Sequence, residues 1–144
     1  MVDVGLLVLR LVLGVILAAH GAQKLFGSFN GPELKGTAGF HEHLGIKPPF
    51  AMAVLAGLAE FVGGILVAVG FLTPLAALAL VVTMVVAALT VHLKNGFFAQ
   101  SGGYEFNLAL AGMALALLFA GAGALRLDGA LGMPTLESAL AILL

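Results

Sequence analysis

Four long apolar runs divide the chain, at about residues 4–26, 50–72, 75–93 and 105–125. A helix needs roughly 20 residues to cross a hydrocarbon core, and each run is near that length. Between the first two lies a longer polar stretch, Gly27 to Pro49, rich in glycine and proline. Inside it, Thr37 to Leu44 (TAGFHEHL) has the pattern of a short interfacial helix. Pro48 and Pro49 are well placed to start the next helix. The GFLTP link at 70–74 is so short that the second and third helices must be antiparallel neighbours. Lys94 to Tyr104 (KNGFFAQSGGY) is a glycine-rich loop whose aromatics suit a membrane interface. Leu127 to Pro134 reads as a turn, and Thr135 to Leu144 as a terminal helix too short to span, lying in the interface. The predicted fold is all-α: a four-helix transmembrane bundle forming one membrane domain over 1–144. It has a long loop between helices 1 and 2 and a short C-terminal interfacial helix.

Finer periodicity predicts which faces turn inward. The first run carries Arg10, Gly14, Leu17, Gly21 and Lys24 on one face, with His20 one turn before Lys24. The second carries Ala53, Gly57, Glu60 and Gly64, and the fourth Glu105, Ala109, Gly112, Ala116 and Ala120. In lipid, helices associate through small residues that let backbones approach. All three stripes are therefore expected to face the bundle interior, each bringing charge with it.

Composition agrees with that reading. Only 9% of residues are charged and 62% are hydrophobic, whereas a soluble domain carries about 25% charged residues. The net charge of −1 and the absence of a basic patch exclude a nucleic-acid partner. The absence of cysteine excludes disulfides, thiol chemistry and thiolate-held metal or iron–sulfur centres. Any redox role then needs a bound cofactor or a partner. No basic segment precedes the first apolar run, and Asp3 stands there instead, so this run is read as a span and not as a signal peptide. Lysines 24, 35, 47 and 94 lie toward the long loops, which the positive-inside rule puts in the cytoplasm.

Ionisable groups within spans are costly and usually face a protein interior or a wet cavity. Here they are Arg10, His20, Lys24, Glu60, His92 and Glu105, with Asn107 beside them. Counting about 1.5 Å per residue from the loop side puts His20 roughly 8–10 Å deep, Glu60 ~15 Å and Arg10 ~22 Å. Arg10 and Glu60 are then expected to form the charged floor of a pocket, His20 its hydrogen-bond donor or proton relay, and Lys24, His92 and Glu105 its mouth. His41 and His43, in the polar loop, are expected to be solvated. His20, Glu60, His92 and Glu105 supply one potential metal ligand per helix. They differ in depth and contain no Glu-x-x-His pair, so no metal site is expected. Phosphate-loop, dinucleotide and serine-hydrolase motifs are absent.

Read in order, HGAQKLFG, LAEFVGGILVAVGFLTPLAAL, His92 with KNGFF, GGYEFNLAL and GAGALRLDG together resemble the DoxX family of small bacterial membrane proteins, from about Leu9 to Gly129. The matching positions are His20, Gly21, Lys24, Glu60, Gly63, Gly64, His92, Glu105 and Asp128. Arg126 departs from the usual small polar residue. The resemblance implies a four-helix, multi-pass protein of the bacterial cytoplasmic (inner) membrane. It also implies a link to quinone-dependent oxidoreductases and oxidative-stress complexes, with catalysis by the chain itself left open. The leading expectation is a membrane subunit of a redox-linked system, with no covalent cofactor. It binds a quinone or similar small amphiphile through Arg10, His20, Lys24, Glu60, His92, Glu105 and Asn107. Beyond the lipid bilayer, its expected partners are a soluble redox protein and further copies of itself. The alternatives are a non-enzymatic anchor for a soluble partner, or a small-solute transporter.

Overall fold

The computed structural model describes residues 1–134; the predicted terminal helix at 135–144 lies outside them. Every regular element among the described residues is helical. Helix α1 spans Val2–Phe26, α2 Glu33–His43, α3 Pro49–Val69, α4 Thr73–Ala87, α5 Glu105–Ala120 and α6 Leu127–Ala130. Beyond Ala87, α4 continues as a wider π turn, Ala88–His92, and a 3₁₀ turn, Leu93–Asn95. Among the described residues, three helical stretches are long and apolar enough to cross a membrane: Val2–Phe26, Pro49–Val69 and Thr73–Asn95. Helix α5 is apolar but shorter, at 16 residues.

Local chemistry sets these limits. Gly27 and Gly70 end α1 and α3 in the left-handed conformation that an L-residue resists. Pro49 and Pro74 sit in the first turns of α3 and α4, where no N–H is required. The long polar stretch is more ordered than a loop: α2 begins at Glu33, four residues before the expected Thr37.

Helices α1 and α3 pack along each other, α4 pairs with α5, and the α3–α4 contact joins the two halves. The α1–α3 contact is backbone against backbone. A Cβ added at Gly21 would overlap the Phe61 amide, and one at Gly14 would overlap the Gly64 carbonyl. Such closeness is how small residues hold helices together in lipid. The predicted inward stripes on α1 and α3 are buried at Arg10, Gly14, Leu17 and Gly21, and at Ala53, Gly57, Glu60 and Gly64. On α5 the prediction fails. Ala109, Gly112, Ala116 and Ala120 are exposed, and the buried face is Asn107, Leu110, Ala114 and Leu117. Every face of α5 is apolar enough for lipid, so small side chains alone did not set its rotation. The core joins Leu13 and Leu17 of α1, Val67 of α3, Leu80 and Met84 of α4, and Leu110 and Leu117 of α5.

Helix α5 stops at Ala120, short of the predicted 125, because Gly121 leaves the helical region. The non-helical backbone that follows is held by polar side chains. Asp3 Oδ1 accepts the Ala124 N–H at 2.6 Å. Arg10, 1% exposed, donates through Nη2 to the Leu125 carbonyl. The Arg126 Nη1 donates to the Gly123 carbonyl at 3.0 Å. Asp128 accepts the Leu72 N–H at 3.0 Å, clamping the α3–α4 turn. Backbone outside a helix needs such partners where water is scarce.

Candidate functional site

The helices are offset along their axes in a way that run lengths do not reveal. Gly57 of α3 lies against Leu25, near the end of α1. The first two turns of α3 therefore rise beyond α1 and pack on α2. With Gly21 against Phe61, Glu60 stands just below Lys24. Arg10 is level with Gly70, about 15 Å further down α3 at 1.5 Å per residue.

This offset corrects the expected Arg10–Glu60 floor. The partner of Glu60 is Lys24, whose Nζ lies 2.5 Å from Oε1. The carboxylate side chain is 2% exposed and the lysine 27%. Arg10 instead holds the Leu125 carbonyl at the opposite end of the bundle.

Above the core lies a cavity of about 840 Å³ in the loop-side half. Its walls are α1, α2 and α3 on one side, and α4 with its π turn, the Ala99–Gly103 loop and α5 on the other. Leu17, Met84 and Leu110, all core residues, line its deep end, so the floor is apolar. Of the seven predicted site residues, His20, Lys24, Glu60, His92 and Asn107 line it; Arg10 and Glu105 do not.

Each polar wall group is positioned by identifiable contacts. His20 rests at 5.9 Å, ring to ring, from Phe106 across the α1–α5 contact. Nδ1 of His92 lies 2.7 Å from the Gly102 carbonyl. Since a carbonyl only accepts, Nδ1 carries the proton and donates. The loop that supplies this carbonyl is tightly folded: Tyr104 N–H donates to Gly96 O at 3.1 Å and Glu105 N–H to Phe97 O at 2.8 Å. Thr90, Val91 and His92 of the π turn line the cavity, a wider turn of a kind that recurs at functional sites. Asn107, 7% exposed, has among the described residues only the Met84 sulfur near its Nδ2, at 3.9 Å.

Two polar wall residues, Thr37 and His41, come from the segment predicted as a short interfacial helix, where His41 was expected to be solvated. Thr37 is buried and donates to the Glu33 carbonyl at 2.8 Å, with the Lys24 carbonyl also in reach at 3.2 Å. This ties α2 over the end of α1. His41, one turn later on the same face, lines the cavity, and its Nδ1 is buried without a partner among the described residues. Burial, then the nearby Lys24 charge, lowers the His41 pKa against the opposing effect of the Pro49 backbone. His43 remains exposed. The Thr37–His41 spacing of four residues was the available signal, since the predicted helix at 37–44 already puts both on one face.

The site thus combines an apolar chamber with an ion pair, three imidazoles and an amide in its walls. Drug-sized ligand sites commonly take this form. Among the described residues, no cluster of three His, Asp or Glu side chains could hold a metal ion.

A family model described as DoxX matches residues 5–93, which include His20, Lys24, Glu60 and His92. A Bacillus subtilis protein named "Putative oxidoreductase CatD" is 32% identical over 126 residues, 88% of this chain and 86% of that protein. An uncharacterized membrane protein of Mycobacterium tuberculosis is 31% identical over 130 residues, 83% of this chain and 77% of its own length. No solved structure matches the chain. With its long apolar helices and a family match over more than half its length, the chain belongs to the DoxX family of membrane proteins.

Proposed function

We propose that this protein is the ligand-binding membrane subunit of a redox-linked system, and that a quinone or similar small amphiphile occupies the loop-side cavity. The observation that carries this reading is the Lys24–Glu60 pair, set in the wall of an otherwise apolar chamber of about 840 Å³. An ion pair needed only for helix register gains nothing from a chamber beside it. A ring-sized ligand with polar oxygens matches both features. In this reading α5 is the fourth crossing, shortened to ~24 Å and completed by the polar-held segment after Gly121. The chain sits in a bacterial inner membrane. His20 and Glu60 stand where protons can be exchanged with the ligand. A soluble redox partner supplies electrons, because no cysteine provides a thiol centre here. The relative named as an oxidoreductase favours the same direction.

The test is binding of a short-chain benzoquinone, in either redox state, to the purified chain in lipid nanodiscs. Saturable binding is expected, weakened at least tenfold in Glu60→Gln or His20→Ala for the redox state that binds tighter. Absence of binding in both states, or variants that bind both states as the parent does, overturns the reading.

A further inference from the structure

Two acceptors on the cavity residues have no donor among the described residues. Glu60 Oε1 takes the Lys24 ammonium at 2.5 Å, but Oε2 is buried and unpartnered. His92 donates through Nδ1 to the Gly102 carbonyl, so in the neutral ring Nε2 is an acceptor as well. Donors are present too: Lys24 keeps further ammonium protons, and the Asn107 amide has only a sulfur contact.

A ligand is selected by what it can satisfy in such a wall. A quinone oxygen only accepts. It can meet Lys24 or Asn107, but it sets lone pairs against the Glu60 and His92 acceptors. A phenolic hydroxyl both donates and accepts, so it satisfies either kind of group. The bond to a carboxylate is charge-assisted and stronger than a neutral one.

We infer that the cavity is selective for the reduced, dihydroxy form of an aromatic ligand, whose hydroxyls donate to Glu60 Oε2 and His92 Nε2. This rests on the binding reading above and adds the redox state and the groups that read it. Preferential binding of the reduced form raises the potential of the bound couple, by about 30 mV for each tenfold in affinity. The bound ligand is thereby made a better electron acceptor than the same ligand free in the bilayer.

The experiment compares three probes on the full chain in nanodiscs: a short-chain 1,4-benzoquinol kept reduced anaerobically, its quinone, and the quinol dimethyl ether. The ether keeps the ring and oxygens but has no donor. The quinol is expected to bind at least tenfold tighter than the quinone, and the ether no tighter than the quinone. Glu60→Gln, which replaces an acceptor oxygen with an NH₂ donor, should abolish or reverse the preference. If that variant does not fold, the ratios on the unmodified chain still decide. Equal or tighter binding of the quinone overturns this inference while leaving the cavity a quinone site. Failure of all three probes to bind overturns both.

Discussion

Lys24 and Glu60 face each other across the α1–α3 contact at 2.5 Å, with the carboxylate almost wholly enclosed and the lysine only partly so. They meet because Gly21 lets the Phe61 backbone come close, bringing α3 to the level of the last turn of α1. The pair is therefore both a product of helix packing and part of the cavity wall.

Removing one partner should be worse than removing both. Lys24→Met leaves a buried carboxylate without its cation, and losses on the order of 3 kcal/mol are typical. The double variant Lys24→Met with Glu60→Met replaces the pair by apolar side chains and should recover much of that loss. Thermal unfolding in detergent of the two single variants and the double variant checks this. A double variant no more stable than Lys24→Met alone contradicts it.

Arg10 has a different task from the one its charge suggests. Its bond to the Leu125 carbonyl holds backbone that has left the helix. Arg10→Leu should loosen residues 121–130 and cost about 1.5–3 kcal/mol for the lost charge-assisted bond. Hydrogen exchange should report faster amides there, with ligand affinity in the folded fraction unchanged. Unaltered exchange at 121–130 would refute the role.

Small residues on α1 and α5 should respond oppositely to enlargement. Gly21→Ala places a Cβ into the Phe61 backbone and must push α1 and α3 apart, a kind of overpacking that costs about 1–3 kcal/mol or more. Around Gly112 an added Cβ meets nothing within 4 Å. Gly112→Ala should be neutral or stabilising by about 0.5–1 kcal/mol through helix propensity. Paired melting curves for the two variants distinguish them. A Gly112→Ala variant as damaged as Gly21→Ala would mean that the exposed α5 face is packed against another chain.

Acid should weaken the docking of α2. The His41 pKa lies below the usual imidazole value of 6.5, first because of burial and then because of Lys24. The folded state therefore binds the proton less readily than the unfolded state. Stability should fall as pH drops through about 6.5 and level off below the folded value. Melting temperatures measured across that range should decline less steeply for His41→Gln. Parallel curves for the two proteins would rule out this source of acid sensitivity.

The candidate site was legible in part. His20, Lys24, Glu60, His92 and Asn107 stood out because polar groups in apolar runs are costly unless they face an interior, and all five line the cavity. His41 was missed because the short helix predicted at 37–44 was laid on the membrane surface with its histidines in water, whereas it packs over the bundle and turns His41 to the cavity. Arg10 and Glu105 were grouped with the rest by helical face and by depths counted from the ends of the apolar runs. Run ends do not mark a common level, because α3 rises beyond α1; Arg10 stands too far down and Glu105 outside the cavity wall.

Local runs of residues were enough to establish lipid as the solvent, the approximate helices, and the inward faces of α1 and α3. Hydrophobic length and the cost of intramembrane charge are properties of one segment read by itself. Which cation meets Glu60, which way α5 turns, and which residues line the chamber depended on the tertiary structure. The first turns of α3 rise beyond α1 and pack on α2, and no single helix encodes its level against another. In lipid, an apolar helix likewise carries little information about its own rotation until its neighbours pack against it.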